Sequence, residues 1–390
     1  MGVWIDILVC PKCGGGLLLE SFEWDDRGLC REGVLTCKVC RQWYPVTQGV
    51  PRLFLPGPLR PDDRPFLARW GDRVQAVEST GGRVDGSAME GLSQVQATFG
   101  YKWTRLNRWG MEGESAKLLE EWLLPRYGWQ DRSVYEAFML TRRRMLDAGC
   151  GLGREAIRMA RANPRALVIG LELSECVDEA IRYTCKHDVD NAFFVQGDLR
   201  VPPLKRASFD FILSEGVLHH TDDTQKALSA LIPLLAPGGE IGFYVYKRKA
   251  PLREYADDYV RGLLQDLIPA EAWNTMESLT RLSRALSDLK VEIDVPVDVP
   301  VLGIRAGRYD IHRLIYYTMF KCYWNDRLSF AENVQVNFDW YAPRYAWRHT
   351  PEEVRGWVAG AGLRTMHETV DDSGITVRAE LPMSRSRVAS

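Results

Sequence analysis

The sequence predicts an α/β protein: a mostly parallel sheet with crossover helices, a small cysteine-bearing unit ahead of it, and a mostly helical block inserted late. Three observations carry this. Between Arg144 and Tyr246, strand-like apolar runs alternate with helical ones, the pattern of strand–helix–strand units. Residues 1–56 hold five of the nine cysteines, four of them in two CxxC pairs. Residues 247–345 form a stretch too long for a plain surface loop.

Strands are expected at Arg144–Ala148, Leu167–Leu173, Ala192–Gln196, Phe209–Ser214 and Glu240–Tyr246. Helices are expected at Arg154–Arg161, Ser174–His187 and Thr224–Leu235. A further helix, Thr350–Ala361, starts on a Thr-Pro-Glu capping signal and leads into strands at Leu363–Thr369 and Ile375–Leu381. The domain reading is 1–56, a linker and helical covering segment at 57–140, a core at 141–246 plus 346–385, and the insert at 247–345. The Pro-rich PRLFLPGPLRPDDRP reads as the linker. All thirteen tryptophans fall outside residues 130–272, so they are expected to bind accessory layers onto the Trp-free stretch 141–246 of the core.

Composition narrows the function. Fifty Lys+Arg against 52 Asp+Glu leaves a net charge of −2, which argues against a protein held on nucleic acid by bulk electrostatics. The most apolar stretch, Ala227 to Tyr246, is broken by Pro233, Pro237, Gly238, Gly239 and Glu240, so no membrane span is expected. The N-terminus lacks a basic run and carries Asp6, unlike a signal peptide. An odd number of cysteines clustered at the front suits a reducing cytoplasm and a metal site.

Cys10-Pro-Lys-Cys13 and Cys37-Lys-Val-Cys40 are two knuckles 23 residues apart. Two such turns supply the closed tetrahedral four-thiolate set that structural zinc favours. A segment this small has little core of its own, so a bound ion would carry much of its folding. With Trp43-Tyr44-Pro45-Val46 and Gly49-Val50-Pro51 following, residues 8–55 resemble the small zinc-ribbon proteins that activate methyltransferases or are fused in front of them. The resemblance leaves the ribbon's role open between stabilising and docking.

Leu146-Asp147-Ala148-Gly149-Cys150-Gly151-Leu152-Gly153 closes the first core strand and opens a helix, with GxGxG spacing rather than the dinucleotide GxGxxG. Glu172 ends the second strand, where a carboxylate can accept both hydroxyls of a ribose. Asp198, followed by Leu199, ends the third and is placed to accept from an adenine amino group. The fourth strand delivers Ser214-Glu215-Gly216-Val217-Leu218-His219-His220 to the same crevice.

This ordered set, with Leu235-Ala236-Pro237-Gly238-Gly239-Glu240 behind it, resembles the class I S-adenosylmethionine-dependent methyltransferases of the small-molecule type. The resemblance implies a Rossmann-like seven-stranded sheet. It places Asp147, Gly149 and Gly151 at the methionine part, Glu172 at the ribose, and Asp198 and Leu199 at the adenine, with Ser214 beside them. Phe99-Gly100-Tyr101-Lys102-Trp103 resembles a cofactor-covering helix of the zinc-ribbon-fused members, in which Tyr101 or Trp103 faces the sulfonium. Glu215, His219 and His220 are the candidate bases. Tyr246, Trp340, Tyr341 and Arg344 are the candidate acceptor contacts from the insert.

The expected activity is methyl transfer to a small metabolite or natural-product intermediate. The alternatives are aminocarboxypropyl transfer or cyclisation of the cofactor, and methylation of RNA. The Asn/Asp-Pro-Pro-Tyr/Phe motif associated with methylation of base or glutamine amino nitrogens is absent from 214–217, and no CxxxCxxC cluster exists for radical chemistry. The expected partner is a small molecule, with no nucleic acid and no membrane; a homodimer is left open.

Overall fold

A computed structural model describes residues 4–55, 63–74, 86–106 and 108–383. Much of the Pro-rich linker, residues 56–62, lies outside them.

The ribbon contributes β1 (Leu17–Trp24), β2 (Cys30–Cys37), β3 (Trp43–Thr47) and β4 (Val50–Leu53), an antiparallel meander. Four helices follow: α1 (Asp63–Val74), α2 (Gly86–Arg105), α3 (Gly113–Arg126) and α4 (Arg132–Leu140). The core then alternates β5 (Arg144–Ala148), α5 (Arg154–Ala162), β6 (Leu167–Glu172), α6 (Val177–Lys186), β7 (Ala192–Gly197), β8 (Phe209–Glu215), α7 (Thr224–Leu231) and β9 (Leu235–Tyr246). These core strands are almost wholly buried on both faces, as parallel strands covered by helices must be. The insert holds α8 (Pro251–Leu264), α9 (Pro269–Asp288), a small antiparallel pair β10 (Glu292–Val295) and β11 (Gly307–Asp310), α10 (Ile311–Thr318) and α11 (Phe330–Tyr341). The described residues end in α12 (Pro351–Gly360), β12 (Arg364–Val370) and β13 (Gly374–Glu380). Among the described residues no helix is long and apolar enough to cross a membrane.

The sheet order is β1-β2-β3-β4-β7-β6-β5-β8-β9-β13-β12. The seven strands from β7 to β12 form the expected core sheet, with β13 antiparallel between β9 and β12. The ribbon extends this sheet. β4 pairs in parallel with β7 through Arg52 with Gln196 and Leu53 with Gly197, which covers an otherwise open edge. Buried Arg52 pins the seam, donating to Gln196 Oε1 at 3.0 Å and to Asp178 Oδ1 at 2.6 Å. Leu8 and Leu53 share one apolar cluster with Ile169 and Val195, and Trp4 stacks on Phe193 at 5.1 Å.

Three boundaries depart from expectation. The helix begun at Thr224 ends at Leu231, passes through a single 3-10 turn carrying Pro233, and Leu235 already belongs to β9. The β8–β9 register is irregular between Phe209 and Phe211, opposite the Pro237-Gly238-Gly239 stretch, so β9 begins five residues before the expected Glu240. The helix expected from Ser174 starts at Val177.

Candidate functional site

The chain runs outward from β5 through β6 to β7, then reverses to β8 on the other side of β5. This is the switch point at whose carboxyl edge ligands of open α/β sheets bind. A cavity of about 520 Å³ opens there. Gly149, Glu172, Asp198 and Glu215 reach it from the ends of four adjacent strands. Gly149 has φ 86°, and a Cβ there would run into Val217. Gly153, also left-handed at φ 78°, lets α5 start against Phe194, which a Cβ would approach to 2.7 Å.

Glu172 is fixed before any ligand arrives. Its Oε2 accepts from Gly151 N at 2.9 Å, and its Oε1 from Ser174 N at 2.8 Å and Ser174 Oγ at 2.7 Å. A carboxylate has about four acceptor positions, so one remains for a ligand hydroxyl. Asp198 is gripped by Arg200, whose Nη2 donates to Oδ2 at 2.7 Å and whose Nη1 reaches Asp222 at 3.0 Å. Leu199 lines the cavity beside it.

Four residues named on the cofactor side, Asp147, Ser214, Gly151 and Tyr101, do not line this cavity. Asp147 is 2% exposed and points back into the fold, where its Oδ2 accepts from Ala156 N at 2.9 Å. It caps the first turn of α5, and burial, reinforced by Glu155, lifts its carboxyl to about 8. Ser214 Oγ donates to Ala148 O at 2.9 Å and ties β8 to β5. Gly151 lies under the Trp103 ring, which its Cβ would meet at 3.2 Å.

Helix α2 roofs the cavity with Phe99, Lys102 and Trp103, which share a face at three- and four-residue spacing. Tyr101 falls on the other side and packs against Trp273 and Phe338 of the insert. Helical geometry thus puts Trp103, and not Tyr101, at the cavity. Lys102 Nζ sits 4.0 Å over the Trp103 ring and bonds Asp339 Oδ1 of α11 at 2.5 Å.

The end of β8 sorts the candidate bases. Glu215 lines the cavity but is held by Tyr127 OH at 2.5 Å and Arg126 at 3.8 Å, and burial raises its carboxyl. His219 is wholly buried, has its ring 3.8 Å from that of Tyr246 at a tilt of 36°, and does not line the cavity. His220 does line it. Its Nδ1 bonds Tyr345 O at 2.7 Å, which requires the proton on Nδ1 and leaves Nε2 as a buried lone pair without a partner among the described residues. Burial, partly offset by Asp339, pulls this imidazole down to about 4.

On the insert side, Tyr246 lines the cavity with its hydroxyl 3.5 Å from Asp339 Oδ2. Trp340, Tyr341 and Arg344 do not. Trp340 Nε1 and Tyr341 OH both donate to buried Asp257, at 2.8 and 2.7 Å, and belong to the insert's own core. Arg344 contributes its backbone, with N on Gln94 Oε1 and O accepting from Arg261. The cavity wall there is instead built by Tyr316, Lys321, Tyr323 and Asp339. Lys321 carries no motif. Asp339 directly precedes Trp340, the residue expected there instead.

The four cysteines converge far from this cavity in sequence. The Sγ atoms of Cys10, Cys13, Cys37 and Cys40 lie within 4.8 Å of one another, with Cys10 and Cys40 at 3.6 Å and Cys13 and Cys37 at 3.5 Å. Four thiolates at ~2.3 Å from one tetrahedral zinc would be ~3.8 Å apart, so the set fits the ion. Backbone N–H groups of Val39 and Cys40 point at Cys37 Sγ, and Tyr44 OH lies 3.1 Å from Cys10 Sγ. These outer contacts steady a thiolate ligand.

Residues 145–239 match the family described as methyltransferase domain, and residues 5–49 the family described as Trm112p-like protein. The 27-O-demethylrifamycin SV methyltransferase of Amycolatopsis mediterranei is 39% identical over 100 residues, 25% of this chain and 36% of that protein. A phthiotriol/phenolphthiotriol dimycocerosates methyltransferase of Mycobacterium leprae is 27% identical over 153 residues, 38% of this chain and 56% of its own length. Magnesium protoporphyrin IX methyltransferase of Synechocystis, solved with its cofactor, is 13% identical with a TM-score of 0.40, over 77% of this chain and 99% of that one. The chain spans about a third to a half of the length of the first curated relatives it matches. Residues 145–239 carry a methyltransferase domain, and ahead of them lies a Trm112-like zinc-ribbon domain with a four-cysteine cluster.

Proposed function

We propose that this chain transfers a methyl group from S-adenosylmethionine to a small-molecule acceptor in the cytoplasm. One observation carries the reading: a single cavity is walled both by the strand-end carboxylates and by the insert. A cofactor bound along the strand ends and an acceptor held under the insert therefore share one enclosed space.

Glu172 would receive the ribose through its remaining acceptor position, Asp198 and Leu199 the adenine, and the backbone at Gly149 the methionine part, under the Trp103 ring. When bound, the cofactor supplies an electrophilic methyl on a sulfonium and its own leaving group. The protein's contribution is alignment and exclusion of water, worth roughly 7–11 kcal/mol when the fit is close. Where the acceptor atom carries a proton, His220 Nε2 takes it, because it is a neutral base in the wall that has no partner among the described residues. The ribbon's zinc is structural in this reading, since four thiolates leave no open position.

The test is mass spectrometry of the small-molecule and RNA fractions of a cell extract incubated with protein and methyl-labelled cofactor. Label in the small-molecule fraction, absent in Glu172→Ala, is the expected result. Label confined to RNA, and weakened steeply by salt, overturns it.

A further inference from the structure

We infer that Lys321 is a binding site for an acidic group on the acceptor, so that the acceptor is a flat, aromatic-bodied carboxylic acid. This deepens the methyl-transfer reading above and rests on it.

The observation is a buried cation without an anion. Lys321 is 7% exposed and lines the cavity. Its backbone is fixed at both ends: its N–H donates to Asp257 Oδ1 at 2.9 Å, and its carbonyl accepts from Tyr341 OH at 3.0 Å. Among the described residues, however, no oxygen accepts a hydrogen bond from its Nζ, which sits 4.7 Å over the Trp340 ring. Burying an unpaired ammonium is costly, and a bound anion would offset that cost.

The two nearest carboxylates are already committed. Asp257 takes four hydrogen bonds, from Lys321 N, Tyr341 OH, Arg253 Nε and Trp340 Nε1, and the Arg253 guanidinium neutralises it. Asp339 holds Lys102 at 2.5 Å. Arg313 adds an exposed second cation to the same wall without an ion pair among the described residues. The excess positive charge therefore faces the cavity, and an acid group would neutralise it. Tyr246, Tyr316 and Tyr323 line the same end, and such rings favour a planar apolar body. Burial, with Arg253 alongside, draws the Lys321 ammonium down to about 7, and a bound carboxylate would restore its proton.

The experiment loads the protein with S-adenosylhomocysteine. It then titrates benzoate, cinnamate and 2-naphthoate against their primary amides, followed by ligand-observed NMR. We expect the acids to bind at least 10-fold more tightly than the amides. That preference should disappear in Lys321→Met and persist in Lys321→Arg. S-adenosylhomocysteine should bind all three proteins alike. Lys321→Met should also melt above wild type, since it removes an unpaired buried charge while keeping the side chain's length. Amides binding as well as acids, no acid binding at all, acid preference surviving in Lys321→Met, or a Lys321→Met protein that melts below wild type would each overturn the site. If wild type does not bind S-adenosylhomocysteine, the methyl-transfer reading falls, and this proposal falls with it.

Discussion

Lys102 Nζ and Asp339 Oδ1 lie 2.5 Å apart across 237 residues of sequence, joining the helix ahead of the core to the last helix of the insert. The lysine side chain is 7% exposed and the aspartate 27%, so water screens the pair only in part. Desolvation alone would raise the Asp339 carboxyl, but Lys102 and then His220 outweigh it and hold it below the ordinary range. The pair closes the roof over the cavity. Lys102→Met leaves Asp339 without its cation and should cost on the order of 2 kcal/mol in urea unfolding. It should also weaken cofactor binding by calorimetry, because α2 loses its anchor. Lys102→Met with wild-type stability and affinity would remove the pair from this role.

Glu172→Gln keeps the side chain's shape and removes its charge. A charge-assisted hydrogen bond is worth ~1.5–3 kcal/mol, so S-adenosylhomocysteine affinity should fall about 10-fold or more. Glu172→Ala should lose more, because Gly151 N and Ser174 lose their acceptor too. Isothermal titration reads both. Wild-type affinity in Glu172→Ala would exclude the ribose role.

His220→Asn should lower kcat by ~10²–10⁴ on an acceptor that must lose a proton, with S-adenosylhomocysteine affinity unchanged. The same residue sets a stability slope. Its imidazole lies at about 4 in the fold against 6.5 when free, so between these values the unfolded chain binds a proton that the native state refuses. Stability is therefore full above pH 6.5 and declines as pH falls toward 4, by on the order of 3 kcal/mol from this residue. Denaturant titrations across that window should show the decline, and His220→Asn should make it shallower, with His219 and His349 contributing the rest.

One zinc per chain is expected by elemental analysis, and the double variant Cys10→Ser/Cys40→Ser should lose it. Because β4 extends the core sheet beside β7, the loss should lower the melting temperature of the whole protein as well as that of the ribbon. Unchanged zinc content in the double variant would reassign the ligands.

Arg52→Ala tests that seam directly. It strands Asp178 and the fully buried Gln196, and removing one partner of such a pair costs about 3 kcal/mol. A drop in chemical stability with zinc content retained is the outcome that identifies Arg52 as the clamp between ribbon and core.

The strands from Arg144 to Glu215, the glycine loop and the four-cysteine cluster were legible in the sequence because each is a property of a short window. A two-face-buried strand is a short apolar run, a left-handed turn demands glycine, and a metal knuckle is a CxxC. The carboxylates Glu172 and Asp198 followed from the strand ends that carry them. What tertiary structure decided were choices between neighbours on one element and contacts across hundreds of residues. The turn of α2 put Trp103 at the cavity and Tyr101 against the insert. Asp257, on another helix, drew Trp340 and Tyr341 into the insert's core and left Lys321 and Asp339 to line the wall. Asp147 turned inward because the first turn of α5 needed an acceptor for Ala156 N. The ribbon joined the sheet because β7 had an open edge, with Arg52 and Gln196 meeting across 144 residues. Local sequence encodes backbone preference and burial pattern; which side chains share a cavity depends on how separate elements pack, and that is set only when the whole chain has folded.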